Sequence, residues 1–219
     1  MSEETIPSAD QAFAVLRRFA RPRTPLERCE LCSAALADQH PHLIDPASRN
    51  IVCTCEACAV LFDGPTRGKY RRVSRSVRLL AAFRMTDAQW DSLLIPINMA
   101  FFFRSSVSGG MTVLYPSPAG AVESLLPLDA WDEIVHDNPV LNHLQPDIEA
   151  LLVNRIGHGR GSSHHEYFVT PIDQCYGLVG MIRSNWKGLS GGSEVWEGIA
   201  RFFETLRSRA EIISGEAHA

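Results

Sequence analysis

Five of the six cysteines in the chain fall between Cys29 and Cys58. They form two CxxC pairs, Cys29/Cys32 and Cys55/Cys58, separated by 22 residues. A CxxC turn sets two thiolates on one side of a tight loop. Two such loops facing each other supply four soft sulfur ligands in a tetrahedron, so the spacing predicts a four-cysteine metal site. Zinc is the expected ion, because nothing nearby in the sequence offers a redox partner. Iron in a rubredoxin-like site uses the same ligands, and an iron–sulfur cluster is the third choice. Cys53 is a fifth thiol that could replace Cys55; two residues apart, both would face the same side of a strand. His40 and His42 lie between the pairs, as ligands, as hydrogen-bond partners of a thiolate, or as residues of a solvated loop. Ser33 and Ala59 stand where such loops favour glycine, so the loop geometry is expected to deviate.

The other reactive residues give weaker patterns. His158, His164, His165 and Glu166 sit in or beside a Gly/Ser-rich stretch with no helical spacing to align them as ligands, which favours a polar loop. Cys175 is placed near a helix start, where a thiol can be activated, but no partner His or Asn is identifiable. A buried structural thiol is the expectation. The Gly/Pro/Ser loops lack the phosphate-binding fingerprints. No catalytic residue and no bound organic cofactor is therefore assigned.

The elements that must position these residues can be read from periodicity. Of 219 residues, 45% are hydrophobic and 21% charged, as in a folded globular protein. Residues 8–20 predict an amphipathic helix capped by Ser8. The stretch HLIDPASRNIV predicts a hairpin turning at Asp45–Ser48, which would carry the second cysteine pair back to the first. Thr86 is placed to cap a helix bearing Trp90, Leu93, Leu94 and Ile97, and a hairpin is expected around Ser108-Gly109-Gly110. A helix follows from Leu128 to Val135. Residues 148–153 could be helix or strand, and 166–170 read as strand. A helix capped by Asp173 is expected next, then one over 195–209 with Trp196, Ile199, Phe202, Phe203 and Leu206 on its apolar face.

The fold expected is α+β. A small zinc-ribbon or rubredoxin-like four-cysteine module precedes a mixed α+β domain. The boundaries are 1–26 for an N-terminal helix and linker, 27–84 for the metal module with a basic extension, and 85–214 for the α+β domain.

Charge is divided along the chain. Residues 1–84 hold 13 basic and 9 acidic side chains, and residues 85–219 hold 8 and 16, within a net charge of −4. The stretch 64–84 has seven basic residues and no acid. It could meet nucleic acid, an acidic protein surface, or the chain's own acidic half. Only Tyr70 and Phe83 interleave it and the overall charge is negative, which disfavours nucleic acid. The longest apolar stretch is too short to span a membrane, and the N-terminus has no basic flank with an apolar run behind it. A cytoplasmic location is expected.

Several segments together carry a resemblance: CELC, HPHLID, IVCTCEACAVLF, AFFFRSS, YPSPAGAVESLLPL, PIDQCYGLVGMIR and WKGLSGG. Over about 27 to 209 the chain resembles an uncharacterised bacterial family often encoded with uptake nickel–iron hydrogenases. The resemblance implies an accessory role, with a hydrogenase subunit or maturation factor as the protein partner. It carries over no catalytic residue. The function expected is a non-catalytic metal-binding accessory protein. The alternatives are a redox or metal-delivery protein with iron in the four-cysteine site, and a nucleic-acid-binding regulator.

Overall fold

The computed structural model describes residues 27–64, 68–124, 128–156 and 165–214. The predicted helix at 8–20, with the rest of residues 1–26, and His158 and His164 lie outside the described residues.

The chain enters a small sheet through β1 (His42–Asp45) and β2 (Asn50–Cys53), followed by helix α1 (Glu56–Phe62) and strand β3 (Arg71–Arg72). The sheet order is β2-β1-β3, all antiparallel. The predicted turn closes through Asp45, whose carboxylate accepts from the Ala47 N–H and the Ser48 hydroxyl. These bonds hold the Asp45 carboxyl below its ordinary pKa, the Ser48 bond being the largest cause.

The large sheet is built from β4 (Arg78–Leu80), β5 (Met99–Arg104), β6 (Met111–Ser117), β7 (Gly120–Ser124), β8 (Glu149–Asn154), β9 (Glu166–Pro171) and β10 (Glu211–Ile213). Its order is β10-β4-β9-β8-β5-β6-β7. Only the β10–β4 pair is parallel. The segments MAFFFR, EALLVN and EYFVTP are buried almost throughout, as central strands covered on both faces must be. Alternation then splits their side chains. Phe101, Phe103, Leu152 and Phe168 face α4 (Ile172–Asn185) and α5 (Ser193–Arg209). Phe102, Leu151 and Val153 face Trp90 of α2 (Asp87–Ser92) and Trp131 and Ile134 of α3 (Leu128–Asp137).

Several local expectations are redrawn. Residues 149–154 are strand. The Thr86 helix has its full capping box with Gln89 but ends at Ser92, short of Ile97, and Leu94 turns into left-handed backbone at φ 54°. Trp196 stays exposed, because α5 buries Val195, Ile199, Phe203 and Leu206 instead. Pro171 takes the cap of α4, and Asp173 sits inside its first turn. The large sheet also begins upstream of residue 85, since β4 lies within it.

The two predicted units share a core. On the β1–β2 hairpin, Leu43 pairs with Val52 and Ile44 with Ile51. Leu43 and Val52 pack with Ala59 of α1. Ile44 and Ile51 point the other way, into the cluster beneath α4 and α5, joined by Val73. Four of the seven basic residues of the run are paired within the chain: Arg71 meets Asp147, Arg78 meets Glu149, Arg72 meets Glu56, and Lys69 meets Asp45. Two of these pairs carry the basic N-terminal half onto the acidic C-terminal one.

Candidate metal centre

The first CxxC pair forms a tight turn. Cys29 O accepts from Ser33 N–H at 2.7 Å, Cys29 N–H donates to Ala34 O, and Arg28 and Ala35 bridge across the base. Arg28 braces the turn by donating to Ser33 O. Ser33 itself takes φ 63°. The left-handed turn usually given to glycine is thus kept with serine, at the cost that a Cβ imposes there.

The second pair is built differently. Cys55 is the N-cap residue of α1 and Cys58 lies in its first helical turn, so Ala59 is an ordinary helical residue. Its N–H donates to Cys55 O at 2.9 Å. The facing loops predicted from the sequence are therefore one turn and one helix start, joined by the hairpin. Glu30 N–H donates to Cys53 O at 2.9 Å and ties the turn to the strand leading into the helix.

The ligand atoms of Cys29, Cys32, Cys55 and Cys58 all lie within 4.8 Å of one another. Cys32 Sγ and Cys55 Sγ are 3.7 Å apart. The edge of a tetrahedron with zinc–sulfur bonds of about 2.3 Å is ~3.8 Å, so the spacing is compatible with one metal ion. Cys29 and Cys58 are buried, Cys55 is half-buried and Cys32 is exposed. Burial raises the Cys29 thiol, but N–H bonds from Cys55, Leu31 and Cys32 outweigh it and bring the group down to about 6. Burial and the three neighbouring sulfurs push Cys58 up to about 12. The Cys29 and Cys58 thiols are thus shifted in opposite directions. Closely packed negative sulfurs need a cation among them.

The alternates separate from this set. Cys53 ends β2 and Cys55 caps α1, and both pack against the cluster of Cys29, Leu36 and Cys58, but only the Cys55 sulfur falls within the four-sulfur group. Cys53 instead meets His40 and His42, with ligand atoms again within 4.8 Å of one another. His42 lies opposite Cys53 in the hairpin register, and the His40 ring stands edge-on to that of His42 at 4.9 Å. Burial raises the Cys53 thiol, and Glu30 and Glu27 raise it further.

Asp173, which the sequence marks only as a helix cap, is the His42 partner that sequence reasoning missed. Its Oδ2 lies 2.6 Å from His42 Nδ1, across 131 residues of chain. No local pattern marks such a partner.

The remaining candidates have structural surroundings. Glu166 accepts from Asn154 and from Arg207. Cys175 is fully buried, and burial pushes its thiol well above the ordinary range. Arg155 pairs with Asp87 and lies over the Trp90 ring. No helix among the described residues is long and apolar enough to cross a membrane.

A family model, described as a family of unknown function (DUF5947), matches residues 28–210. No curated protein and no solved structure matches the chain.

Proposed function

The chain belongs to the family of unknown function DUF5947, and we propose that it is a non-catalytic accessory protein whose Cys29, Cys32, Cys55 and Cys58 hold a structural zinc ion. The observation that carries this reading is the convergence of four sulfurs from two separate elements within 4.8 Å. A structural site is closed by four protein ligands, and this set supplies all four. The ion's role would be to lock the Cys29 turn onto the start of α1, since the clusters around Leu43 and Cys29 contain few apolar residues.

The zinc module would present a binding face for a protein partner. Val60, Leu61 and Phe62 project from α1 just beyond Cys58, with exposures of 67%, 73% and 41%. Apolar side chains grouped this way on a small rigid module suit a partner surface. The identity of that partner as a hydrogenase subunit or maturation factor is supported by the segment resemblance, CELC through WKGLSGG. Internal pairing of the basic run weighs against nucleic acid as the partner.

Elemental analysis of protein purified without added metal tests the ion. One zinc lost in Cys58→Ser supports the reading; a red protein with thiolate-to-iron absorption replaces it with the rubredoxin-like one. Affinity capture from a hydrogenase-expressing host tests the partner. Enrichment of a hydrogenase subunit or maturation factor that falls in Leu61→Asp is expected. Absence of any such protein contradicts it.

A further inference from the structure

We propose that His40, His42 and Cys53 form a second metal site, distinct from the four-cysteine cluster, that takes zinc or a neighbouring late first-row divalent ion and leaves one coordination position open. The three ligand atoms lie within 4.8 Å of one another. Each imidazole is already oriented. His42 Nδ1 bonds to Asp173 Oδ2 at 2.6 Å, and His40 Nδ1 bonds to Ala37 O at 2.9 Å. A carboxylate and a carbonyl can only accept, so Nδ1 donates on both rings, and in the neutral imidazole it is Nε2 that carries the lone pair. This is the arrangement by which metal-binding histidines are fixed, one nitrogen held by an acceptor and the other turned to the ion.

An independent observation points to a missing partner. His40 Nε2 is buried and has no hydrogen-bond partner. A buried lone pair left unsatisfied is costly, and a metal bond is what this geometry offers it. Asp173 Oδ1, on the carboxylate that holds His42, is likewise buried without a partner.

The position in the fold favours an ion as well. His42 and Cys53 are paired across the hairpin and share its face with Ile44 and Ile51, and His42 meets the first turn of α4 at Asp173. The site thus lies where the small sheet joins the large unit. Glu30 Oε1 accepts from Cys53 N–H at 2.6 Å, and Glu27 approaches His40 at 3.6 Å. With Asp173, these acids place three carboxylates beside the three ligands, which attracts a cation. Two imidazoles and one thiolate suit zinc and its neighbours in preference to magnesium or calcium. Three protein ligands leave room for water or for a donor group from another molecule. The His42 side chain is 27% exposed, so the site is reachable. Such a site exchanges its ion more readily than the closed one beside it.

Cobalt(II) titration of the full chain tests this. Wild type is expected to bind two equivalents. One has the intense charge-transfer absorption of four thiolates, and the other the weaker absorption of a single thiolate. His40→Ala and Cys53→Ser are each expected to bind one equivalent with the four-thiolate spectrum intact. Cys29→Ser loses the four-thiolate spectrum, which reports on the structural site separately. A wild type that saturates at one equivalent overturns the proposal without reference to any variant. So does retention of two equivalents in both His40→Ala and Cys53→Ser.

Discussion

His42 Nδ1 and Asp173 Oδ2 lie 2.6 Å apart and join the hairpin of the cysteine module to the first turn of α4. The contact lies at the same junction at which Ile44 and Ile51 enter the large core. The module is therefore fastened by an apolar seam and a polar pin side by side.

Removing the pin is expected to weaken the His40–His42–Cys53 site and spare the four-cysteine one. Loss of a carboxylate that orients a ligating histidine costs about 10- to 100-fold in metal affinity. Asp173→Ala should show that loss for the weaker ion in chelator competition, with unchanged affinity for the tighter one. An equal loss at both would mean that Asp173 acts on the fold of the whole module.

Breaking the four-cysteine cluster is expected to loosen the module and leave the large sheet standing. Cys58→Ser should abolish amide protection over residues 28–63 and preserve it in β5, β8 and β9. Ile44 and Ile51 belong to the shared core, so the effect reaches further than in an isolated module. Loosening one such side chain costs about 2 kcal/mol, or roughly 4–8 °C in Tm for a chain of this size. Unchanged protection in the hairpin would show that the module holds without its ion.

Arg78 and Glu149 form a bridge at 3.0 Å in which the carboxylate is almost fully buried. Arg78→Met strands that carboxylate and is expected to cost roughly 3 kcal/mol, by denaturant titration. Adding Glu149→Gln removes the stranded charge and should recover part of the loss. A double variant less stable than Arg78→Met would contradict this account of the pair.

Cys175 is expected to resist alkylation in the native protein. It is fully buried, and burial keeps its thiol protonated at neutral pH. Mass spectrometry after iodoacetamide should find it modified only once denaturant unfolds the large unit. Rapid labelling under native conditions would show that the α4 core opens.

The cysteine spacing was legible because it encodes proximity directly, and the hairpin because Asp45–Ser48 carries its own turn chemistry. The strands 99–104 and 166–171 were legible through their apolar content. What escaped was long-range. Nothing near Asp173 announces His42, and nothing in SRSVRLL shows that β4 pairs with β9 and β10. The division of the five clustered cysteines also needed three dimensions. Strand periodicity puts Cys53 and Cys55 on one side, and both do pack against the Cys29–Cys58 cluster, but only the hairpin register sets Cys53 opposite His42. Trp196 failed as a core residue because the burial face of α5 is set by α4 and the core it packs on, through Val195 and Ile199, rather than by its own apolar content.

X-ray absorption at the zinc edge, on full-length protein purified without added metal, tests the central claim most directly. The account predicts bound zinc with sulfur as the majority ligand, at about 2.3 Å. That majority holds whether the four-cysteine site is filled alone or together with its neighbour. Zinc surrounded mainly by nitrogen and oxygen, or protein without zinc whose Cys29 and Cys58 are freely alkylated, would contradict it.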